Sequence, residues 1–513
     1  MRRDLTNGLP RLKPASGIPY PIFTTMVAQI PHLADFDVSV ENGFLPTQPP
    51  LDTLPDEYYK PWEDVVKNLQ GLVLSKRLRG VVEKLPVLST DRLQDAQQWR
   101  RAYSILGFIT HAYIWGGNKP VERIPPPITI PFLETCDQLE LPPVATYAGL
   151  VLWNWKPIFG SERTDTLSNL DMLHTFTGSM DEKWFYLVSV AIEARGAPLI
   201  PMMLEAVSAA RRGNKTVVLE SLRNFAERVD ELGVLLTKMY DNCDPHVFYN
   251  RIRPYLAGSK NMADAGLPNG VVFDNGGPIN KQRYVQFSGG SNAQSSIIQF
   301  FDLILSVEHR PTGQKKGDEA HSSKKAPPHS FIHEMRKYMP GPHARFLREV
   351  NKVANIRAFV EEHSYDSALT VAFDASLAML SALRDKHIQI VSRYIIIQSA
   401  AAKKRAEADS AKPSKGEKKI DLAHRPKASE KDDDKKLKGT GGSTLIPFLR
   451  QARDETGEPA VDAWARRLLS REKGPAGIEL SKIERRASIS TPQCPGLATV
   501  WRADQSEGGI CIT

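Results

Sequence analysis

The sequence predicts an all-α fold, with a large helical domain and a smaller, mostly helical N-terminal domain, on three observations. From about residue 130 to 400, apolar residues recur at helical spacing in long segments parted by Gly, Pro and Asn. Alternating stretches are few, and the strand candidates at 270–273 and 284–287 make at most a minor hairpin. At 513 residues the chain exceeds the usual size of one core, which points to two domains plus some unfolded sequence.

Residues 1 to about 55 are proline-rich and irregular, and helical patterning runs from 56 to about 108, giving an expected N-terminal domain over 1–125. Residues 121–131, VERIPPPITIP, lose amide donors at four prolines and are expected to form a linker or crossover rather than a helix. The large helical domain is then expected over 126–400. Residues 401–438 offer almost no large apolar side chain to offset ordering entropy, so disorder is predicted there, and likewise for the polar insertion 311–328. A Gly-rich loop and a last helix fill 439–470, and 471–513 reads as an irregular tail. Within that tail Arg485-Arg-Ala-Ser488 resembles a basophilic kinase site.

Charge and cysteines narrow the function classes. The net charge of +8 includes +5 from residues 403–438, where thirteen basic side chains meet eight acidic ones. The remainder is nearly neutral, so no nucleic-acid partner is expected. Cys136, Cys243, Cys494 and Cys511 are widely separated, as suits a reducing compartment. No apolar run approaches the roughly 18–20 residues that span a bilayer, and the start of the chain lacks a secretory apolar core. Pro10, Pro14, Pro19 and Pro21 break any long import helix there. A cytoplasmic protein with no membrane partner is the expectation.

The most informative helix is predicted over 367–398. Phe373, Leu377, Leu380, Arg384, His387, Val391 and Tyr394 lie alternately four and three apart, on one face. That face should be a buried seam holding two basic groups. A buried arginine needs an anion, and a neutral imidazole one turn away can direct a nitrogen at a metal. A haem would meet both needs, with iron for the histidine and a propionate for the arginine. The ordinary alternative is a core histidine bonded to a backbone carbonyl, with Arg384 paired to a protein carboxylate. On pattern alone that alternative is the commoner.

Other histidines carry weaker signals. His329 and His333 have a spacing compatible with two zinc ligands, but their glutamate follows the second histidine and no third ligand is evident. His343 reads as packing at a helix start and His111 as core.

The segment LRDKHIQIVSRYIII resembles the proximal-histidine helix of indoleamine 2,3-dioxygenases. Similar likeness recurs in order in FLPTQPPL (44–51), AYIWGG (112–117), LELPPVATYAGLVLWNW (139–155), WFYLVSVAIEARGAPLIP (184–201), FYNRIRPYLAG (248–258), GGSNAQSSIIQFFDLIL (289–305), MRKYMPGPHARFL (335–347) and GTGGS (439–443). The resemblance implies haem b in the large domain, with ferrous iron activating O2 to cleave the indole 2,3-bond of L-tryptophan and give N-formylkynurenine. It also implies an electron donor that keeps the iron ferrous, and a monomer.

Residue by residue, the resemblance makes His387 the axial ligand and Arg384 a propionate partner. Phe185 faces the indole, Ser189 puts a hydroxyl near the haem edge, and Tyr147 and Val151 form pocket wall. Arg253 binds the substrate carboxylate beside Phe248. Five residues separate that pair, about 140° on an ideal helix. Pro254 is expected to push Arg253 out of the α region, to a helix end from which it turns inward. Gly290, Ser291 and Asn292 follow Ser288 in a flexible turn beside the haem, before a helix over 292–306. Thr440 and Gly441 belong to a mobile lid near the substrate ammonium. Asn292 replaces a small apolar residue, Leu150 replaces a cysteine of mammalian members, and Tyr186 and Tyr249 add hydroxyls. A haem-binding paralogue with little catalysis, acting as a sensor, is the alternative function.

Overall fold

The computed structural model describes residues 28–163, 165–314, 330–410, 439–440 and 444–471. Its fold is all-α with a few short strands. The central pair is the helix Ser367–Val391 packed along Lys215–Thr237, which also contacts Leu199–Arg211 and Met180–Gly196. Val218, Leu222, Phe225, Val229 and Leu232 form one buried stripe, and Leu369, Phe373, Leu377 and Leu380 form another. Each such side chain contributes about 1.5–3 kcal/mol when fully buried. Asp366, Asn214 and Ser179 cap the starts of three of these helices by accepting from Leu369, Val217 and Glu182 amides.

Buried apolar residues form two large clusters. One joins the early helices, including Tyr59, Trp62 and Tyr103, to Tyr147, Phe248 and Tyr394; the other joins Phe44 to the Ser367–Val391 seam. Met180–Arg211 and Ser367–Arg405 have the length and composition to cross a membrane, against the expectation that no such run exists; 72% and 50% of their apolar windows lie inside the protein.

The expected hairpin forms between Val271–Phe273 and Tyr284–Val285, and Arg123–Ile124 adds a parallel strand to it. A second hairpin, Trp155–Pro157 with Leu170–Met172, was not expected. Asn169 pins it by accepting from the Phe159 amide at 2.8 Å and donating to the Phe159 carbonyl at 3.0 Å.

Two further expectations are corrected. Residues 121–131 are not a linker throughout, because Pro126–Leu139 is a helix. Pro126 and Pro127 occupy its first two positions, where amides have no intrahelical partner anyway, so only Pro131 removes a ladder bond. The predicted disorder from 401 is also too early, because helix Ile397–Ser410 runs through the alanine-rich stretch Ser399-Ala-Ala-Ala402, a strong helix former. The rest of that segment, most of the 311–328 insertion, His329, Gly441, Cys494, Cys511 and the Arg485–Ser488 motif lie outside the described residues.

Three π-helical segments occur among the described residues, Ala148–Leu152, Phe248–Ile252 and Ser392–Ile396. Each widens one turn and turns side chains toward the same interior cavity.

Candidate active site

The cavity has a volume of about 270 Å3, near the lower edge of the roughly 300–1,000 Å3 typical of small-molecule pockets. Its wall includes Tyr147, Val151, Phe185, Ser189, Phe248, Arg253, Gly290, Ser291, Asn292, Arg384, His387 and Thr440. Every expected site residue except Gly441 is therefore brought together.

His387 projects from the seam helix with its ring open to the cavity and otherwise enclosed. Burial, helped by the Arg384 charge, lowers its pKa to about 4, so the imidazole is neutral at pH 7. Neither ring nitrogen hydrogen-bonds to any described residue, in contrast to His111, which faces the Tyr255 carbonyl at 2.7 Å and accepts from the Ala145 amide at 2.9 Å. Leu236, Ile298, Leu383, Ile388 and Val391 supply an apolar surround. A neutral imidazole over an apolar chamber, with no hydrogen-bond partner among the described residues, fits the iron and macrocycle of a haem.

Arg384 finds its anion in the protein. Its guanidinium donates to both oxygens of Asp302, at 2.6 and 2.8 Å, and to the Thr456 hydroxyl. A propionate at this edge would share a guanidinium already engaged. Asp302 also meets His309 Nε2 at 3.1 Å, while His309 Nδ1 meets Glu455 at 2.8 Å. Burial raises the Asp302 pKa, but the Arg384 and His309 charges together carry it below the ordinary carboxylate value. Burial opposes protonation of His309, and its two carboxylates overcome that and raise its pKa.

Phe248 and Arg253 lie together for a reason other than the one expected. Arg253 keeps α-region angles, φ −51° and ψ −37°, despite Pro254. Phe248–Ile252 is a π turn in which the Arg253 amide donates to the Phe248 carbonyl, so residues five apart stack along the axis. Arg253 is buried, and its guanidinium carbon lies 5.8 Å from the Tyr249 ring centroid. The rings of Phe185 and Phe248 are tilted with centroids 4.9 Å apart, and Tyr394 meets Phe248 edge-on at 5.7 Å.

The turn before residue 292 is held firmly. Ser291 caps a short 3-10 turn, Asn292–Gln294, by accepting from Ala293, and the following helix is Ser296–Ile304 rather than 292–306. Gln294 accepts from the Tyr147 amide and donates to the Gly289 carbonyl, both at 2.8 Å. Thr440 donates its hydroxyl to the Gly290 carbonyl at 2.7 Å and accepts from the Gly289 amide at 3.2 Å, which seats the start of the 439–444 segment on this turn.

Gly289 serves a backbone crossing, since a Cβ there would lie 2.1 Å from the Leu256 carbonyl oxygen and 2.4 Å from the Gly258 amide. Gly289→Ala is expected to destabilise the fold by about 1–3 kcal/mol; an unchanged melting temperature would contradict the crossing.

Sequence reasoning missed Glu193, Gln294, Asp302 and His309. Glu193 and Asp302 carried a signal, each being a lone acid in an apolar helical run, VSVAIEARG and QFFDLIL.

A family model described as "Indoleamine 2,3-dioxygenase" matches residues 32–459. The chain is 39% identical to the indoleamine 2,3-dioxygenase of Saccharomyces cerevisiae over 85% of its length and 96% of the relative's. It is 35% identical to the 6-hydroxytryptophan 2,3-dioxygenase fscD of Fusarium equiseti (83% and 96% covered) and 34% to the mouse indoleamine 2,3-dioxygenase 1 (84% and 96%). Agreement over nearly the whole length, with the cavity residues inside the matched range, places the chain in the indoleamine 2,3-dioxygenase family of oxidoreductases.

Proposed function

We propose that this dioxygenase uses haem b to insert both atoms of O2 across the indole 2,3-bond of L-tryptophan, giving N-formylkynurenine. The observation that carries the reading is the neutral imidazole of His387, without a hydrogen-bond partner among the described residues, facing a chamber whose wall also holds Phe185, Phe248 and Arg253. Bound at His387, haem would supply the iron that activates O2, with an external electron donor keeping it ferrous.

The chain's own residues bind, orient and exclude water. Arg253 offers a planar fork to the substrate carboxylate, and the Phe185 and Phe248 rings, tilted against each other, offer aromatic surface to the indole. Tyr147 and Val151 wall the pocket, and Ser189 gives it a hydroxyl. Gly290, Ser291 and Asn292 line the cofactor side. Thr440 lines the cavity on the side assigned to the substrate ammonium. The acids at this wall do not act as bases: Asp302 is engaged by Arg384, and Glu193 lies behind Tyr147. The protein acts as a cytoplasmic monomer on a small molecule, without nucleic acid or membrane.

One observation favours a second reading, a hydroxylated indole as substrate. The Asn292 carboxamide lines the cavity and makes no side-chain hydrogen bond to a described residue. It could hold a ring hydroxyl, and Asn292→Ala should then cost hydroxytryptophan more than tryptophan in kcat/KM.

The test is haemin reconstitution followed by ascorbate, methylene blue, O2 and L-tryptophan. Formation of N-formylkynurenine is expected. A Soret band without product would favour the sensor, and no Soret band would remove the haem. Arg253→Ala should raise KM by about tenfold to a hundredfold, since a hydrogen bond to a charged group contributes roughly 1.5–3 kcal/mol. Unchanged KM would remove the carboxylate role.

A further inference from the structure

Glu193 is fully buried on the helix Met180–Gly196, one turn after Ser189 and two after Phe185. Its Oε1 accepts from the Tyr147 hydroxyl at 3.0 Å and from the Ser295 hydroxyl at 2.7 Å. Its Oε2 is buried and has no hydrogen-bond partner among the described residues. Tyr147, Ser189 and Ser295 all line the cavity, so the carboxyl stands directly behind the wall. The groups that face it are the Tyr147 phenol, from the residue before the π segment Ala148–Leu152, and the Ser295 hydroxyl, from the segment ahead of Ser296–Ile304. Ser189 acts on the same phenol from Glu193's own helix. No cation is among the described groups that face it.

An ionised carboxylate with one bare oxygen and no counter-charge is among the costliest groups to bury. Protonation removes the charge. The carboxylic acid keeps one acceptor oxygen for two hydroxyl donors and carries its proton on the other. Burial raises the acid's pKa to about 7 and raises the phenol's well above its ordinary range, so both stay protonated under mildly acidic conditions.

We propose that Glu193 is a positioning residue that stores a proton behind the cavity wall and, through Tyr147, keeps that wall uncharged and in one hydrogen-bonding register. As pH rises through neutrality Glu193 ionises, and Tyr147 is drawn onto the new carboxylate. The wall then turns a negative field toward the substrate. Only this kinetic consequence rests on reading the cavity as the substrate site; the protonation state does not.

Infrared difference spectroscopy of the full chain, in H2O and D2O, tests the stored proton without turnover. Wild type should show an isotope-sensitive carboxylic-acid carbonyl band that fades as pH rises through neutrality and is missing from Glu193→Gln. Tyr147→Phe should keep the band but shift it to higher frequency, because one donor to the carbonyl is lost. Wild type lacking the band, or Glu193→Gln retaining it, overturns the proposal, as does an unshifted band in Tyr147→Phe. In the haem-loaded enzyme, the rise of tryptophan KM across neutrality should vanish in Glu193→Gln. An unchanged KM profile overturns the coupling through Tyr147. If tryptophan is not a substrate at all, the functional reading fails while the infrared result still decides the stored proton.

Discussion

Replacing His387 with alanine is expected to abolish the Soret absorption of the reconstituted protein and all dioxygenase turnover, while circular dichroism still reports a folded helical chain. The imidazole lines a cavity rather than filling the core, so its loss enlarges existing space without breaking a packed seam. Leu377, Leu380 and Val391, which hold the helix in place, are untouched. The neutral ring has no described hydrogen-bond partner to leave stranded, so the change removes a ligand and little else. Added imidazole should enter the vacated space and restore part of the absorption. A normal Soret band in His387→Ala, at full stoichiometry, would reject the ligand assignment. Retained turnover would reject the mechanism.

The sequence made the frame of this result legible and left its pairings hidden. Alternating four- and three-residue spacing defined the helix over 367–391 and put Arg384 and His387 on one face, because side-chain direction follows from local geometry alone. The hairpin at 271–285 was readable for the same reason. What escaped depended on tertiary context. A π turn costs one residue of register and leaves no compositional mark, so the shared inward direction of Phe248 and Arg253 was assigned to Pro254 instead. The Pro126–Leu139 helix was lost to a proline count that ignored where in a helix those prolines fall. The Gly289 crossing needs Gly258, thirty-one positions away in sequence and adjacent only once folded. The sequence left the seam arginine with two possible anions, and the carboxylate it meets in the fold, Asp302, lies on another helix.

That carboxylate yields the other large effect. Asp302→Asn is expected to destabilise the fold by about 3–5 kcal/mol, as when one partner of a buried ion pair is removed. Asp302 is 5% exposed at its side chain and neutralises Arg384, at 12%, so an amide of the same shape leaves a guanidinium in the interior without its counter-charge. The loss should reach further than one bond. Asp302 sits on Ser296–Ile304, Arg384 one turn before His387, and Glu455 and Thr456 on the helix Leu445–Thr456 that follows the 439–444 segment. His309, between Asp302 and Glu455, completes the tie among these helices. Its sign with pH is fixed. Asp302, with its folded pKa below 3.8, adds stability that is present above that value and lost as pH falls through the folded pKa. His309, raised above 6.5, adds stability that is fully present below 6.5 and lost as pH rises through its folded pKa. Asp302→Asn should flatten both limbs of the stability profile. Pairing Asp302→Leu with Arg384→Met should recover much of the loss, because neither side then carries a charge to bury. Urea titration across pH measures all of this. A loss within about 0.5 kcal/mol, the range of an ordinary surface change, would mean that Arg384 is neutralised by something other than Asp302.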